Sequence, residues 1–443
     1  MLNRDDAIKI CETVLAHAKA AGAEDASVSL SDSVESHARL ADNRVTTSGR
    51  ADDLDITATV WVGKRRGATT VNDSSAAALQ QLANDAVQIA RVSPVQREYV
   101  PTLGPLQYGD DRGYAAATAS LDLGARAKSL LAVLDSCRAQ KVTGAGFHTT
   151  RVSATAAATA NGNRRYFRST RADFSVTART PDGTGSGYFS GDHFDISRLD
   201  VPHIAAQAIN KAITSRQPQP IEPGNYPVIL EPQAVADLIG TLTGAFDARS
   251  AEEGRSAFSA RDGKTRLGEQ MFNDRINLYS DPANPELPAA PATDEGVPAT
   301  RLSLITGGVI ENFRYTRYWA EQKKRDATPG PVNYILESTQ PPTPMDEMIK
   351  GMQRGLLISR FWYVRLVDPR TLVLTGLTRD GLWWIENGQI KNPVRNLRFN
   401  QSVLGMLAPR NVEAIGAPQR LAPYVVPALR LGSFTFTSIS DAI

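Results

Sequence analysis

The chain has 443 residues, of which 42% are hydrophobic and 22% charged, as in an ordinary globular protein. Its 49 Lys and Arg nearly balance 47 Asp and Glu, so overall charge gives no attraction for nucleic acid or anionic lipid. The two cysteines, Cys11 and Cys137, exclude a disulfide scaffold and fit a reducing compartment. There is no run of about 18 apolar residues and no apolar leader, so we expect a cytoplasmic protein without nucleic-acid or membrane partners.

Residues 1–92 predict a first α+β unit. Apolar residues recur at helical spacing over 4–21, with Asn3 as a plausible N-cap. The period then changes to two around 26–30 and 56–62, which predicts strands joined by a hairpin near 63–67. A second helix is predicted at about 75–91. Residues 93–113, rich in proline and glycine, predict a linker.

Residues 114–216 predict a second α+β unit, with helices at 122–139 and 200–215 and strands over 150–194. Asn161-Gly162 is typical of a two-residue turn. Residues 217–225 predict another linker, because three prolines fall there.

Residues 226–443 predict a third, β-rich unit. Two helices are predicted within it, at 232–246 and 345–355, and a hairpin is closed by Asn387-Gly388. The fold class is therefore α+β: a helix and antiparallel-sheet units, followed by a β-rich C-terminal domain.

Local motifs for catalysis are weak. The glycine-rich stretch 183–187 is not followed by a helix, so it predicts a hairpin loop and not a phosphate site. Three histidines, His148, His193 and His203, lie far apart, and Asp192-His193 is the best of a weak set. No serine elbow or activated cysteine is present, and we assign no catalytic residue.

Several stretches in order resemble the TldD/TldE (PmbA) family of metalloprotease-related proteins. They are LADNRVTTSG (40–49), VGKRRGATTVND (62–73), DGTGSGY (182–188), PGNYPVILEP (223–232), DEGVPATR (294–301), GGVIEN (307–312) and WIENGQIKNP (384–393). Each stretch is weak alone, but the ordered set covers nearly the whole chain. The resemblance implies the fold of that family.

The catalytic TldD branch of the family carries His-Glu-x-x-x-His on a helix, in which two histidines bind zinc and the glutamate activates water. Aligning that helix by hand on Gly244 and Phe246 places Val235, Ala236 and Gly240 at the motif positions. No His follows His203 and no Cys follows Cys137. We therefore expect no metal site in this chain.

The resemblance thus implies a TldE-type subunit without catalytic activity of its own. A TldD-type partner would supply the zinc, and the heterodimer would enclose a chamber that takes unfolded or short peptides as extended strands. Two alternatives stay open: an autonomous hydrolase with unidentified residues, such as Asp192 with His193, and a homodimeric peptide-binding protein.

A candidate interface lies in the third unit, where the resemblance places the chamber. Tyr315, Arg317, Tyr318 and Trp319 crowd together, and aromatic residues and arginine are enriched at interface cores. The alternative is a strand whose alternate members fill the core.

Overall fold

The computed structural model describes residues 1–440 and has two β-sheets with helices, which confirms the α+β class. The last three residues of the predicted third unit, 441–443, lie outside the described residues. One sheet has six strands and the other has eleven. Within residues 1–440, no helix is both long and apolar enough to cross a membrane.

The six-stranded sheet is antiparallel throughout, in the order β3-β2-β1-β4-β5-β6. Its strands are β1 Asp25–Ala41, β2 Arg44–Val62, β3 Arg65–Val71, β4 Thr143–Thr159, β5 Arg164–Arg179 and β6 Ser186–His193. The two central strands come from the first and second predicted units, and they pair from Ser27↔Thr159 to Leu40↔Gly146. The units that look separate in the sequence therefore share one sheet.

Five helices accompany this sheet: α1 Arg4–Ala20, α2 Ala76–Val92, α3 Ala116–Ala119, α4 Leu123–Ala139 and α5 Val201–Thr214. The Asn3 side chain caps α1 by accepting from the Asp6 amide, as its position predicts. Apolar residues of α1 and α2 form one core with the sheet, and those of α4 and α5 form a second. The alternate, more polar residues, such as Ser29 and Thr155, face the third unit.

The third unit contains the eleven-stranded sheet. Its strands are β7 Asn225–Leu230, β8 Ile276–Ser280, β9 Leu302–Thr306, β10 Val309–Ile310, β11 Tyr334–Ser338, β12 Arg354–Asp368, β13 Val373–Glu386, β14 Gln389–Pro393, β15 Leu397–Ser402, β16 Val412–Leu421 and β17 Tyr424–Ile439. Five of them are neighbours in the spatial order β17-β15-β13-β12-β7, and β7 also pairs with β17. These pairings close a ring of five strands.

The helices of the third unit are α6 Pro232–Gly244, α7 Ala248–Glu252, α8 Arg317–Gln322, α9 Met345–Lys350 and α10 Val403–Met406. Helix α6 is the longest of them, and its apolar face packs into the large core of this unit.

Two turn predictions have different outcomes. Asn387 and Gly388 have φ of 51° and 73° and join β13 directly to β14, so the predicted tight turn is confirmed. The Asn161-Gly162 prediction is wrong in length, because residues 160–163 connect β4 to β5 and of these only Gly162 has positive φ. The Asn161 side chain instead bonds Thr102, which accounts for its place in the loop.

Candidate functional site: the cleft beside α6

The structure places the three degenerate motif positions on α6, and none can ligate a metal. Val235 is fully buried in the core, whereas Ala236 and Gly240 are half-buried. A Cβ added at Gly240 would lie 2.8 Å from the Tyr424 hydroxyl. Residues 1–440 hold no group of three or more His, Cys, Asp or Glu that could bind a metal ion. The residues present therefore do not fit a zinc site.

A cleft lies between α6 and the polar face of the six-stranded sheet. A cavity of about 390 Å³ in it is lined by Ala236 and Asp237 of α6 and by residues of β5, β6 and the start of β17. The Asp237 carboxylate accepts from the Phe361 amide at 2.7 Å and from Gln233 Nε2 at 2.9 Å. Burial raises the pKa of Asp237 to about 6, so this carboxyl exchanges its proton in mildly acidic solution.

The outer edge of β6 opens into this cleft. At one end the Ser215 hydroxyl bonds the amide and carbonyl of Ser186, and at the other Arg420 Nε donates to the Asp192 carbonyl at 3.0 Å. In an antiparallel strand, every second residue points both its N–H and its C=O to the same edge. Tyr188 and Ser190 therefore present two amides and two carbonyls there, without a backbone partner among the described residues.

A second cavity, of about 500 Å³, shares Tyr188, Ser190 and Asp192 with the first. The unpaired stretch of β6 thus lines two cavities. A short extended peptide could pair with it as a seventh strand.

The structure does not bring Asp192 and His193 together as a catalytic pair. The Asp192 carboxylate accepts from Arg420, at 2.8 Å, and from the Ala422 amide, at 3.0 Å. His193 Nδ1 accepts from the Asp195 amide, and burial lowers the pKa of the imidazole. Asp192 thus ties β6 to the third unit and is not free to orient a histidine.

A serine–lysine contact that sequence reasoning missed lies nearby. Lys211 Nζ donates to Ser359 Oγ at 2.7 Å and also forms an ion pair with Glu231. An ammonium held by a carboxylate donates protons and cannot serve as the base that a serine nucleophile needs. Ser359 is 1% exposed, so no substrate carbonyl can reach it. The cluster is a structural contact that joins α5 to the third unit.

The candidate interface residues make contacts within the chain. The Tyr315 hydroxyl and Trp319 Nε1 both donate to the Glu252 carboxylate, at 2.6 and 3.0 Å. The Arg317 guanidinium donates to the Pro101 carbonyl, and Tyr318 lines a cavity against the first sheet. The segment is helical from Arg317, so the strand of the alternative is wrong, but Tyr315 is buried in the core of the third unit, as that alternative expects. Pairing through this patch stays a prediction.

Family models match almost the whole chain. PmbA/TldA metallopeptidase domain 1 matches residues 26–90, the central domain of that family matches 114–216, and its C-terminal domain matches 223–438. No curated protein matches the sequence.

Solved structures with the same fold are distant in sequence. TldE from Thermococcus kodakarensis is 17% identical, with a TM-score of 0.87 over 96% of this chain and 99% of that one. A candidate modulator of DNA gyrase from Thermotoga maritima is 18% identical, with a TM-score of 0.85 over 97% of this chain and 100% of that one. A candidate modulator of DNA gyrase from Bacteroides thetaiotaomicron is 18% identical, with a TM-score of 0.87 over 99% and 100%.

The fold and the ordered domains define a metallopeptidase-like protein of three family domains. The chain belongs to the PmbA/TldD family.

Proposed function

We propose that the chain is a TldE-type, non-catalytic subunit that pairs with a zinc-bearing TldD-type subunit and helps to hold peptide substrates. The observation that carries the proposal is the absence of any His after His203 and of any Cys after Cys137. A zinc site on α6 would need such ligands from this helix and from later in the chain. Val235, Ala236 and Gly240 supply none.

The edge of β6 supports a role in peptide binding. Backbone pairing is largely independent of side-chain identity. An edge whose two amides and two carbonyls have no backbone partner within residues 1–440 therefore suits peptides of varied sequence. Two cavities, of about 500 and 390 Å³, adjoin it and share Tyr188 and Ser190 in their linings. In this proposal the edge orients an extended peptide, and the partner subunit cleaves it.

The first experiment measures metal and activity. The isolated chain should contain well below one zinc per chain after dialysis and should cleave no unfolded peptide. Mixed with a TldD-type sister, it should form a heterodimer whose cleavage is abolished by a chelator. About one tightly held zinc in the isolated chain, or cleavage by it alone, would overturn the proposal.

The second experiment tests the edge. In the chelator-inactivated heterodimer, Ser190→Pro removes one amide donor and should weaken binding of a fluorescent unstructured peptide by at least tenfold. Ser190→Ala is the matched control, because it removes the hydroxyl bond to Gln233 but keeps the amide. Equal affinity of both variants would show that peptides do not pair with β6.

The same measurements separate the alternatives. A homodimeric peptide-binding protein would respond to Ser190→Pro without any sister subunit. An autonomous hydrolase would cleave peptides without any sister subunit, and it would have to use residues other than the Asp192 and His193 pair.

A further inference from the structure

The outer end of β12 exposes an unusual set of side chains. β7 pairs with β12 over residues 356–358 only, and the outer edge of 362–368 has no strand partner among the described residues. Four large apolar residues there are 39%, 59%, 45% and 60% exposed: Trp362, Tyr363, Leu366 and Val367. Together with Arg365 and Arg379 they are named here the aromatic–arginine ridge.

The ridge is held in a defined arrangement. The Trp362 and Tyr363 rings pack edge to face with centroids 4.4 Å apart. The Arg379 guanidinium lies 3.9 Å over Trp362, and that of Arg365 lies 5.4 Å over Tyr363. Tyr363 has φ of 54° at a bulge between Trp362 and Arg365, a conformation uncommon for a bulky residue.

Protection of a free sheet edge explains only part of this arrangement. Bulges and charged side chains blunt edges against unwanted pairing, and the Arg365 guanidinium indeed bonds the neighbouring Val364 carbonyl. Protection gives no reason to expose four large apolar side chains within six residues. Buried aromatic residues and arginine together are what the energetic centres of protein interfaces contain.

Charge decides which partner fits the ridge. Residues 360–380, which contain the ridge, carry four arginines against two aspartates, although the whole chain has a net charge of only +2. One of the two, Asp380, is buried with Arg360 at 3.2 Å and Arg379 at 3.8 Å. A second copy docked about a two-fold axis through this surface would bring arginine against arginine.

We propose that the aromatic–arginine ridge is the docking surface for a partner subunit that presents an acidic, partly apolar surface, and not for a second copy of this chain. The inference rests on the proposed function in one respect: the partner is the TldD-type sister subunit. The arginines already stacked on the rings would then meet carboxylates at the rim of the interface, while the apolar side chains lose their exposure.

The test measures affinity for the sister subunit. Tyr363→Gly with Leu366→Ser should weaken heterodimer formation at least tenfold. Arg365→Glu should also weaken it and should reduce its dependence on salt concentration. Glycine accepts φ of 54° without strain, so Tyr363→Gly alone should melt no earlier than the parent. The matched control is Leu123→Ser with Val92→Ser, two apolar residues that are 69% and 84% exposed on helices.

The outcomes distinguish this inference from the proposed function. Normal pairing by the ridge variants would overturn the inference and leave the heterodimer standing. A parent chain that pairs with no TldD-type sister would overturn both. A parent homodimer that the ridge variants dissociate would contradict the acidic partner, since the ridge would then bind a copy of itself.

Discussion

Restoring the three motif positions should damage the protein before it creates a metal site. In the triple variant Val235→His, Ala236→Glu, Gly240→His, the first change puts an imidazole where the side chain is 0% exposed. Losing the valine contacts costs about 2 kcal/mol, and an imidazole without hydrogen-bond partners adds about 1–3 kcal/mol. At Gly240 the new Cβ meets the Tyr424 hydroxyl at 2.8 Å, which adds about 1–3 kcal/mol of overpacking.

The sum, about 4–8 kcal/mol, is comparable with the whole stability of a typical domain. We therefore expect the triple variant to melt far below the parent, to bind no stoichiometric zinc and to cleave no peptide. Ala236→Glu alone is the control, because Ala236 borders the cleft and an added carboxylate reaches water. A triple variant that melts with the parent and shows chelator-sensitive cleavage would refute both the motif alignment and the packing argument.

Three further predictions follow from single groups. Lys211→Met should lower the free energy of unfolding by about 3 kcal/mol in urea titrations, because it leaves the Glu231 carboxylate part-buried without its cation. The double variant Lys211→Met with Glu231→Gln should recover part of this loss. A double variant less stable than Lys211→Met alone would contradict the prediction. Asn387→Pro should abolish soluble expression or lower Tm by several degrees, because proline cannot adopt φ of 51°. An unchanged Tm would be evidence against positive φ at position 387. Asp237→Asn should flatten the pH dependence of the free energy of unfolding. A carboxyl whose pKa is about 6 in the folded state stabilises the fold at low pH, and that contribution, up to about 3 kcal/mol, is lost as pH rises from about 4 through 6. Parent and variant profiles that stay parallel from pH 4 to 8 would disprove the assignment.

Features set by neighbouring residues could be predicted from the sequence. The Asn3 cap and the Asn387-Gly388 turn depend on a few consecutive residues, and both are present as expected. The apolar periodicity of α6 already includes Val235, which indicates a core position there and argues against a ligand.

Features that join distant segments could not be predicted in this way. The alternating pattern of β1 shows which of its faces is buried, but it does not show which strand pairs with the edge opposite β2. The pairing of β1 with β4 could therefore not be predicted. In α5 the apolar Ile213 is 38% exposed, whereas the charged Lys211 is only 6% exposed. Lys211 tolerates burial only because Glu231 and Ser359 arrive from the third unit.

The five-stranded ring constrains how the chain can fold during synthesis. β7 is complete at Leu230, but its antiparallel partner β17 extends from Tyr424 to Ile439, roughly 200 residues later, which takes the ribosome on the order of 10–40 s. Throughout that interval Val228, Ile229 and Leu230, all 0% exposed in the finished fold, lack at least one of their two neighbouring strands, β12 and β17. During synthesis this strand is therefore open to non-native contacts for longer than a strand whose partners are close in sequence. A product truncated before β17 would leave one edge of β7 without its strand partner, and an unpaired apolar edge favours aggregation.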